Sequence, residues 1–375
     1  MRSNIRSTRV PLLAIALLAL AFSSFGQAGL TLGGHFIPKD SFMLFIDMGN
    51  SAMSGRDKTP DIVTDPHLWK FEMDPANHDW LAAKEPVCVD AYQSLANPLG
   101  GPIMPFLKRL LVNYPNFYFG VMQLSNSGWE LTGHFNAGSG DVNNLLAQAN
   151  ILKANVTIAG LVSMLNNVEV QNKDTANYLQ KVTDMVSNLR TNLGTLQYKG
   201  VTYTVPYIHA GYPVLAKDSP DGTIQYDTSH AQTKSIMRQI AQIPTKVQNC
   251  MIIPTDGLTV CMTCTPANYF DHYDHAGNVG WGTRAADSVL GRNWIPPCTN
   301  CVGVTASLQH QIVAVHVSAL QKIMFDGTNW SAFDKAGKSF NVYSPNGRAI
   351  TGMTLSLLRT QKLLPGVYFA KSLSR

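Results

Sequence analysis

Gly-Asn-Ser-Ala-Met-Ser-Gly-Arg, residues 49–56, places a serine in a bend of small residues straight after an apolar run. A serine hydroxyl is a weak nucleophile, and needs a base within hydrogen-bond reach to take its proton during attack on a carbonyl. Far along the chain, Asp-His-Tyr-Asp-His at 271–275 supplies two imidazoles, His272 and His275, beside the carboxylates of Asp271 and Asp274. Adjacent side chains of an extended segment point apart. That leaves Asp274 to orient His272, or Asp271 to pair with His275 as an alternative base. The tetrahedral intermediate carries a new negative charge, which backbone N–H groups and an amide side chain stabilise. The same residues admit plainer readings. A serine in a Gly/Ser bend is commonly a turn residue. The Asp/His cluster and the nearby cysteines are competent zinc ligands, but no pair shows a recognised helical spacing.

The elements that must position these groups follow from hydrophobic pattern. Ser-Phe-Met-Leu-Phe-Ile-Asp-Met-Gly (41–49), the run from Phe117 to Leu124 and the run from Thr157 to Leu165 read as buried strands bounded by turn residues. The segments 205–212 and 249–258 are further candidate strands. Phe106, Leu107, Leu110 and Leu111 fall at helical spacing, as do Tyr178, Val182, Met185, Val186 and Leu189. A last helix is expected over 276–290. Strands alternating with helices predict an α/β fold with a largely parallel, doubly wound sheet, whose ligands bind outside the carboxyl ends of strands. Ser51, the loop 125–128 and the pair Asn166 and Asn167 all lie just past such ends, which predicts one shared site.

From about residue 301 the texture changes to short β-rich runs broken by turns such as Pro345-Asn346-Gly347, expected to form a small C-terminal β-sandwich module. This stretch carries eight Lys or Arg against Asp326 and Asp334, an excess above the +5 of the whole chain. Affinity for acidic surfaces is one implication of such an end, a solvated face the plainer one. With 45% hydrophobic and 14% charged residues, the chain has material for a sizeable core and little in common with a nucleic-acid-coating protein.

The first 28 residues read as a signal peptide: Arg2, Arg6 and Arg9, a short apolar run from Val10 to Phe22, then small residues at Gly26 and Ala28. No later stretch reads as a transmembrane segment. A secreted, periplasmic or surface-bound protein is expected. In such a compartment the six cysteines, including Cys261-x-x-Cys264 and Cys298-x-x-Cys301, point to disulfides ahead of zinc.

Several motifs together resemble the SGNH-hydrolase esterases, in the branch of sialate O-acetylesterases and acetyl xylan esterases. Gly49, Ser51, Met53, Gly55 and Arg56 match in register the branch's nucleophile block, Gly-Gln-Ser-Asn-Met-Ala-Gly-Arg. Asn50 stands for its Gln and Ala52 for its Asn. The stretch 80–87 is similar to a Trp-x-x-Ala-x-Glu-Pro segment, and 99–110 to a Gly-Pro-x-x-x-Phe start of a helix. His272, Gly277, Gly282 and Arg284 fit the late histidine block. The resemblance spans roughly residues 40–290 and implies an esterase domain over 29–300, with 301–375 as a basic sorting or attachment module. It also implies an oxyanion hole made by the N–H groups of Ser51 and Gly101 and by Asn166 or Asn167. Two further positions depart from the pattern. Leu165 falls where a Gln is expected, and Tyr269 where the usual Asp precedes the histidine.

The expected function is therefore that of an exported serine esterase. It would remove O-acetyl groups from a polysaccharide or glycan through an acyl-enzyme on Ser51, with His272 as base and no metal or organic cofactor. The C-terminal module implies contact with the cell surface or secretion machinery, and no nucleic-acid partner is expected. The two departures motivate the alternative of a catalytically decayed carbohydrate-binding or cell-surface protein on the same fold.

Overall fold

The computed structural model describes residues 28–73, 78–90, 93–94, 96–212, 231–260 and 272–295, with five strands between 320 and 372. Strands β1 (Gly29–Leu32) and β2 (His35–Pro38) form a hairpin ahead of the main sheet. The main sheet holds β3 (Phe42–Gly49), β4 (Leu68–Phe71), β5 (Trp80–Ala82), β6 (Tyr118–Ser125) and β7 (Thr157–Met164). After a second hairpin, β8 (Leu196–Tyr198) with β9 (Val201–Tyr203), come its last strands, β10 (Tyr207–Ala210) and β11 (Cys250–Ile253). The seven strands run in the order β11-β10-β7-β3-β6-β4-β5. Every neighbour is parallel except β4 with β5. The five neighbouring strands from β6 across to β11 reproduce the flavodoxin-like order of a doubly wound sheet.

The helices are α1 (Ser51–Ser54), α2 (Ile103–Asn113), α3 (Gly140–Leu152), α4 (Asn167–Gln171), α5 (Tyr178–Leu193), α6 (Ala231–Lys246) and α7 (His275–Gly291). All eight residues of β3 are buried, as a central parallel strand covered on both faces requires. Its Phe42, Leu44, Ile46 and Met48 enter the core under α3, α5 and α6, and its Met43 and Phe45 enter the core under α2 and α7. The strand alternation thus assigns each face of the sheet its own helices. Gly282 sets the approach of α7 to α2, since a Cβ there would lie 2.6 Å from the Pro102 carbonyl oxygen and 2.7 Å from the Phe106 nitrogen.

The predicted strands and helices of the esterase region are present, with two small hairpins, the short helices α1 and α4, and three additions to the main layers. The β4–β5 hairpin makes the sheet mixed at one edge, and α3 and α6 complete one face. Trp281 is a fully buried core residue. Among the described residues no helix is long and apolar enough to cross a membrane. The segment read as a signal peptide lies outside them but for Ala28. Cys88 and Cys250 are free thiols, so the expected disulfides do not include a bond between them. Cys261, Cys264, Cys298 and Cys301 lie outside the described residues.

The chain divides into two compact units, Met1–Ala306 and Ser307–Arg375. In the second unit, β12 (Leu320–Phe325), β13 (Trp330–Ser331), β14 (Ser339–Tyr343), β15 (Ala349–Thr354) and β16 (Gly366–Ser372) form one antiparallel sheet, ordered β13-β12-β16-β14-β15. A second layer, which a sandwich needs, is not among the described residues.

Candidate active site

The chain leaves β3 through Asn50 and turns at once into α1, with Ser51 as its first residue. Asn50 caps this single turn: its Oδ1 accepts the Ala52 N–H at 3.1 Å, satisfying one of the donors that a helix start leaves without a partner. Ser51 is 5% exposed. Among the described residues its hydroxyl makes no hydrogen bond and its N–H has no acceptor. The Met53 and Ser54 N–H groups both return to the Asn50 carbonyl. The turn ends at Gly55, at φ 92°, where any Cβ would strike the Gly100 carbonyl.

Strand β7 lies beside β3, on the side where the strand order reverses, and its exit supplies the predicted amides. Asn167 accepts the Asn50 Nδ2–H at 2.5 Å through its Oδ1. This bond leaves the Nδ2 end of Asn167 as its donor. Asn166 is turned the other way, donating to the Gly211 carbonyl at 3.3 Å. Leu165 is a core residue with no exposure. Of the two candidate amides, Asn167 is the one joined to the Ser51 turn.

The glycine expected as a second oxyanion donor is engaged elsewhere. The Gly101 N–H donates to Glu85 Oε1 at 2.7 Å, and the Gly100 N–H donates to the Asp57 carbonyl at 2.7 Å. Glu85 also accepts the Asp61 N–H through Oε2 at 2.5 Å. Burial pushes the Glu85 carboxyl up to about 8, in spite of those two amide donors. Asp57 in turn holds His275, with Nδ1 to Oδ2 at 2.8 Å, the imidazole being largely exposed.

Asp274 does not orient His272. It is the N-cap of α7, where Oδ1 accepts the Gly277 N–H at 2.8 Å and the Thr259 hydroxyl at 2.5 Å. His272 itself is buried, 1% exposed, in the segment just before that cap. Asp271 and Tyr269 lie outside the described residues.

Arg56 ties three loops together around the turn. Its guanidinium, with no exposure, donates to the Gly55 carbonyl at 2.5 Å, to Asp90 at 2.7 Å and to the Ser127 hydroxyl at 3.1 Å. Ser54 donates to the same Asp90 oxygen at 2.8 Å. A charge-assisted network of this kind is strong where its members are desolvated.

Among protein families, residues 41–291 match the one described as carbohydrate esterase, sialic acid-specific acetylesterase. This chain belongs to that family. It is a carboxylic ester hydrolase with the SGNH-type fold. No curated protein matches it in sequence. Solved structures that it resembles include a protein from Arabidopsis thaliana, at 16% identity over 66% of this chain and 98% of the other, with TM-score 0.50. NanS is similar at 13% identity over 69% and 99% of the two chains, with TM-score 0.51. At these identities the two structures speak to the fold.

Several groups that shape this esterase's site carry little signal in its sequence. Asn50 reads there as a mere substitute, and it joins Ser51 to Asn167. Glu85 stands only inside a matched segment, and Asp90 has no signal of its own. Glu169 is buried and braces the loop after β6, accepting the Leu131 N–H at 2.7 Å, and burial raises its pKa. Trp129 stacks flat on His134 at 4.3 Å in that same loop, with His134 held by Asp141 at 2.9 Å.

Proposed function

We propose that this esterase removes O-acetyl groups from a carbohydrate by way of an acyl-enzyme on Ser51. The observation that carries the reading is the nucleophile turn itself. Ser51 opens a one-turn helix off the central strand, at the end of the sheet where such folds bind ligands. Its N–H has no acceptor among the described residues, and an amide is anchored beside it through Asn50. In this mechanism His272 removes the hydroxyl proton as Ser51 attacks the acetyl carbonyl. The Ser51 N–H and the Asn167 amide then meet the oxyanion. Protonated His272 releases the sugar hydroxyl, and a water molecule activated by the same imidazole frees acetate.

The substrate class follows from the family, whose description is that of an acetylesterase acting on carbohydrate. Export through residues 1–28 and retention through the basic C-terminal unit complete the reading, which places the enzyme where acetylated polysaccharide is met outside the cytoplasm. Asp57 and His275 form a ready acid–base pair, but its exposure suits a surface contact better than proton transfer in a dry crevice.

The test is kinetic. Ser51→Ala is expected to lower kcat on an aryl acetate and on acetylated xylan by about 10⁴-fold or more. His272→Ala should approach that loss, while His275→Ala stays near wild type. A Ser51→Ala protein with the wild-type rate would remove the serine mechanism, and a larger loss at His275 than at His272 would reassign the base.

A further inference from the structure

On the opposite face of the sheet from α1, a buried polar chain crosses from β10 to the turn that carries Asn167. His209 pairs with Ser163 across β10 and β7. Its Nδ1 lies 2.7 Å from Ser163 Oγ and 3.0 Å from the Tyr207 hydroxyl, and those two oxygens are 2.6 Å apart. On its other side, Nε2 lies 3.0 Å from the Tyr178 hydroxyl. Tyr178, the first residue of α5, donates its hydroxyl proton to the Leu165 carbonyl. Ser163, Tyr178, Tyr207 and His209 all have no exposure.

The protons in this chain have one consistent direction. A tyrosine has a single O–H, and that of Tyr178 is spent on Leu165. The bond to His209 must therefore run from Nε2–H to the Tyr178 oxygen. The imidazole is then neutral, with Nδ1 accepting from Ser163 or Tyr207, whichever of the two receives the other's proton. Burial keeps it so, pushing the His209 pKa down to about 3. Every member is satisfied, and all the donors point toward the Leu165 carbonyl. Fully satisfied buried networks make the backbone they touch rigid. The carbonyl that receives this one opens the turn 165–167, which holds Asn167 against Asn50.

We propose that Tyr178 and His209 are positioning residues for ester hydrolysis, fixing the turn 165–167 so that the Asn167 amide stays in register with Ser51. The proposal rests on the serine mechanism above. It reaches across the sheet to residues that touch neither substrate nor nucleophile.

The experiment is a double-mutant cycle on an aryl acetate, with thermal melting recorded for each protein. Tyr178→Phe removes one hydroxyl and keeps the ring. It is expected to lower kcat by about tenfold with KM unchanged, less than the roughly 100-fold that a 1 Å misplacement costs. Combined with Asn167→Ala, it should add nothing to the loss from Asn167→Ala alone. His209→Gln, which keeps a donor and an acceptor, should retain more activity than His209→Leu. The proposal is overturned by an unchanged kcat in Tyr178→Phe, by losses that multiply in the double variant, by a change in KM alone, or by an Asn167→Ala enzyme at wild-type rate. Ser51→Ala is run alongside. Wild-type activity there sinks the serine mechanism itself, whereas an inactive Ser51→Ala with multiplying losses sinks only the positioning role.

Discussion

Asp47 sits in the middle of β3 with no exposure, its carboxyl meeting no donor among the described residues beyond the adjacent Met48 N–H. Burial drives its pKa well above the ordinary range, as it does for Glu85. A carboxyl whose folded pKa exceeds its unfolded value binds its proton more tightly in the native state. The stability it contributes is full below the unfolded pKa and is lost as pH rises through the folded one. The melting temperature of this esterase is therefore expected to fall as pH rises from about 4.5 toward 8, the window that Glu85 sets. Asp47→Leu should raise the melting temperature at pH 7 and flatten part of that slope. Removing an unsatisfied buried group recovers roughly 1–3 kcal/mol. A steeper slope or a lower melting point in the variant would show that the carboxyl is satisfied after all. At this scale the sequence exposes the serine block and hides its supports. Ser51 announces itself by the block around it, whereas nothing local to Glu85 says that Gly101 needs its oxygen. Asp274 shows the converse error: a carboxylate close to a histidine in sequence is a helix cap in space.

Helices and strands with strong periodicity are legible from residues alone. Tyr178, Val182, Met185, Val186 and Leu189 face the core as their spacing demands. Helix α3 is equally readable in principle, with Ser139 accepting the Val142 N–H as N-cap and Val142, Leu145, Leu146, Ala149 and Leu152 buried, but its many amides disguise the stripe. The β4–β5 hairpin is not readable, because strands of four and three residues carry too little alternation to register. The contact of α7 with α2 gives the prediction that belongs here. Gly282→Val places bulk against the backbone at Pro102 and Phe106, where neither neighbour has a flexible end to move. It should lower stability by about 1–3 kcal/mol, the usual cost of overpacking, seen as a reduced urea midpoint. Val at Gly291, which has open space around it, serves as the control. Equal midpoints in the two variants would mean that the helices slide apart without cost.

At the scale of the molecule, the chain divides into two compact units at Ala306, and among the described residues the first holds two hydrophobic cores of its own. A chain ending at Ala306 is therefore expected to keep the melting temperature and aryl acetate kcat of the full protein. Loss of either on truncation would show that the C-terminal unit supports the first. The doubly wound order itself can be foreseen, since alternating strands and helices leave few ways to cover a parallel sheet. The mixed edge cannot, because it depends on a hairpin inserted between β3 and α2. That edge has a further consequence. Among the described residues the sheet is bounded by the three residues of β5 on one side and the four of β11 on the other. At about 3.3 Å per residue, each rim presents a ladder far shorter than the broad central strands behind it. A passing extended peptide finds little backbone there to zip onto, so crowding at high concentration should not seed fibrils from this part of the enzyme.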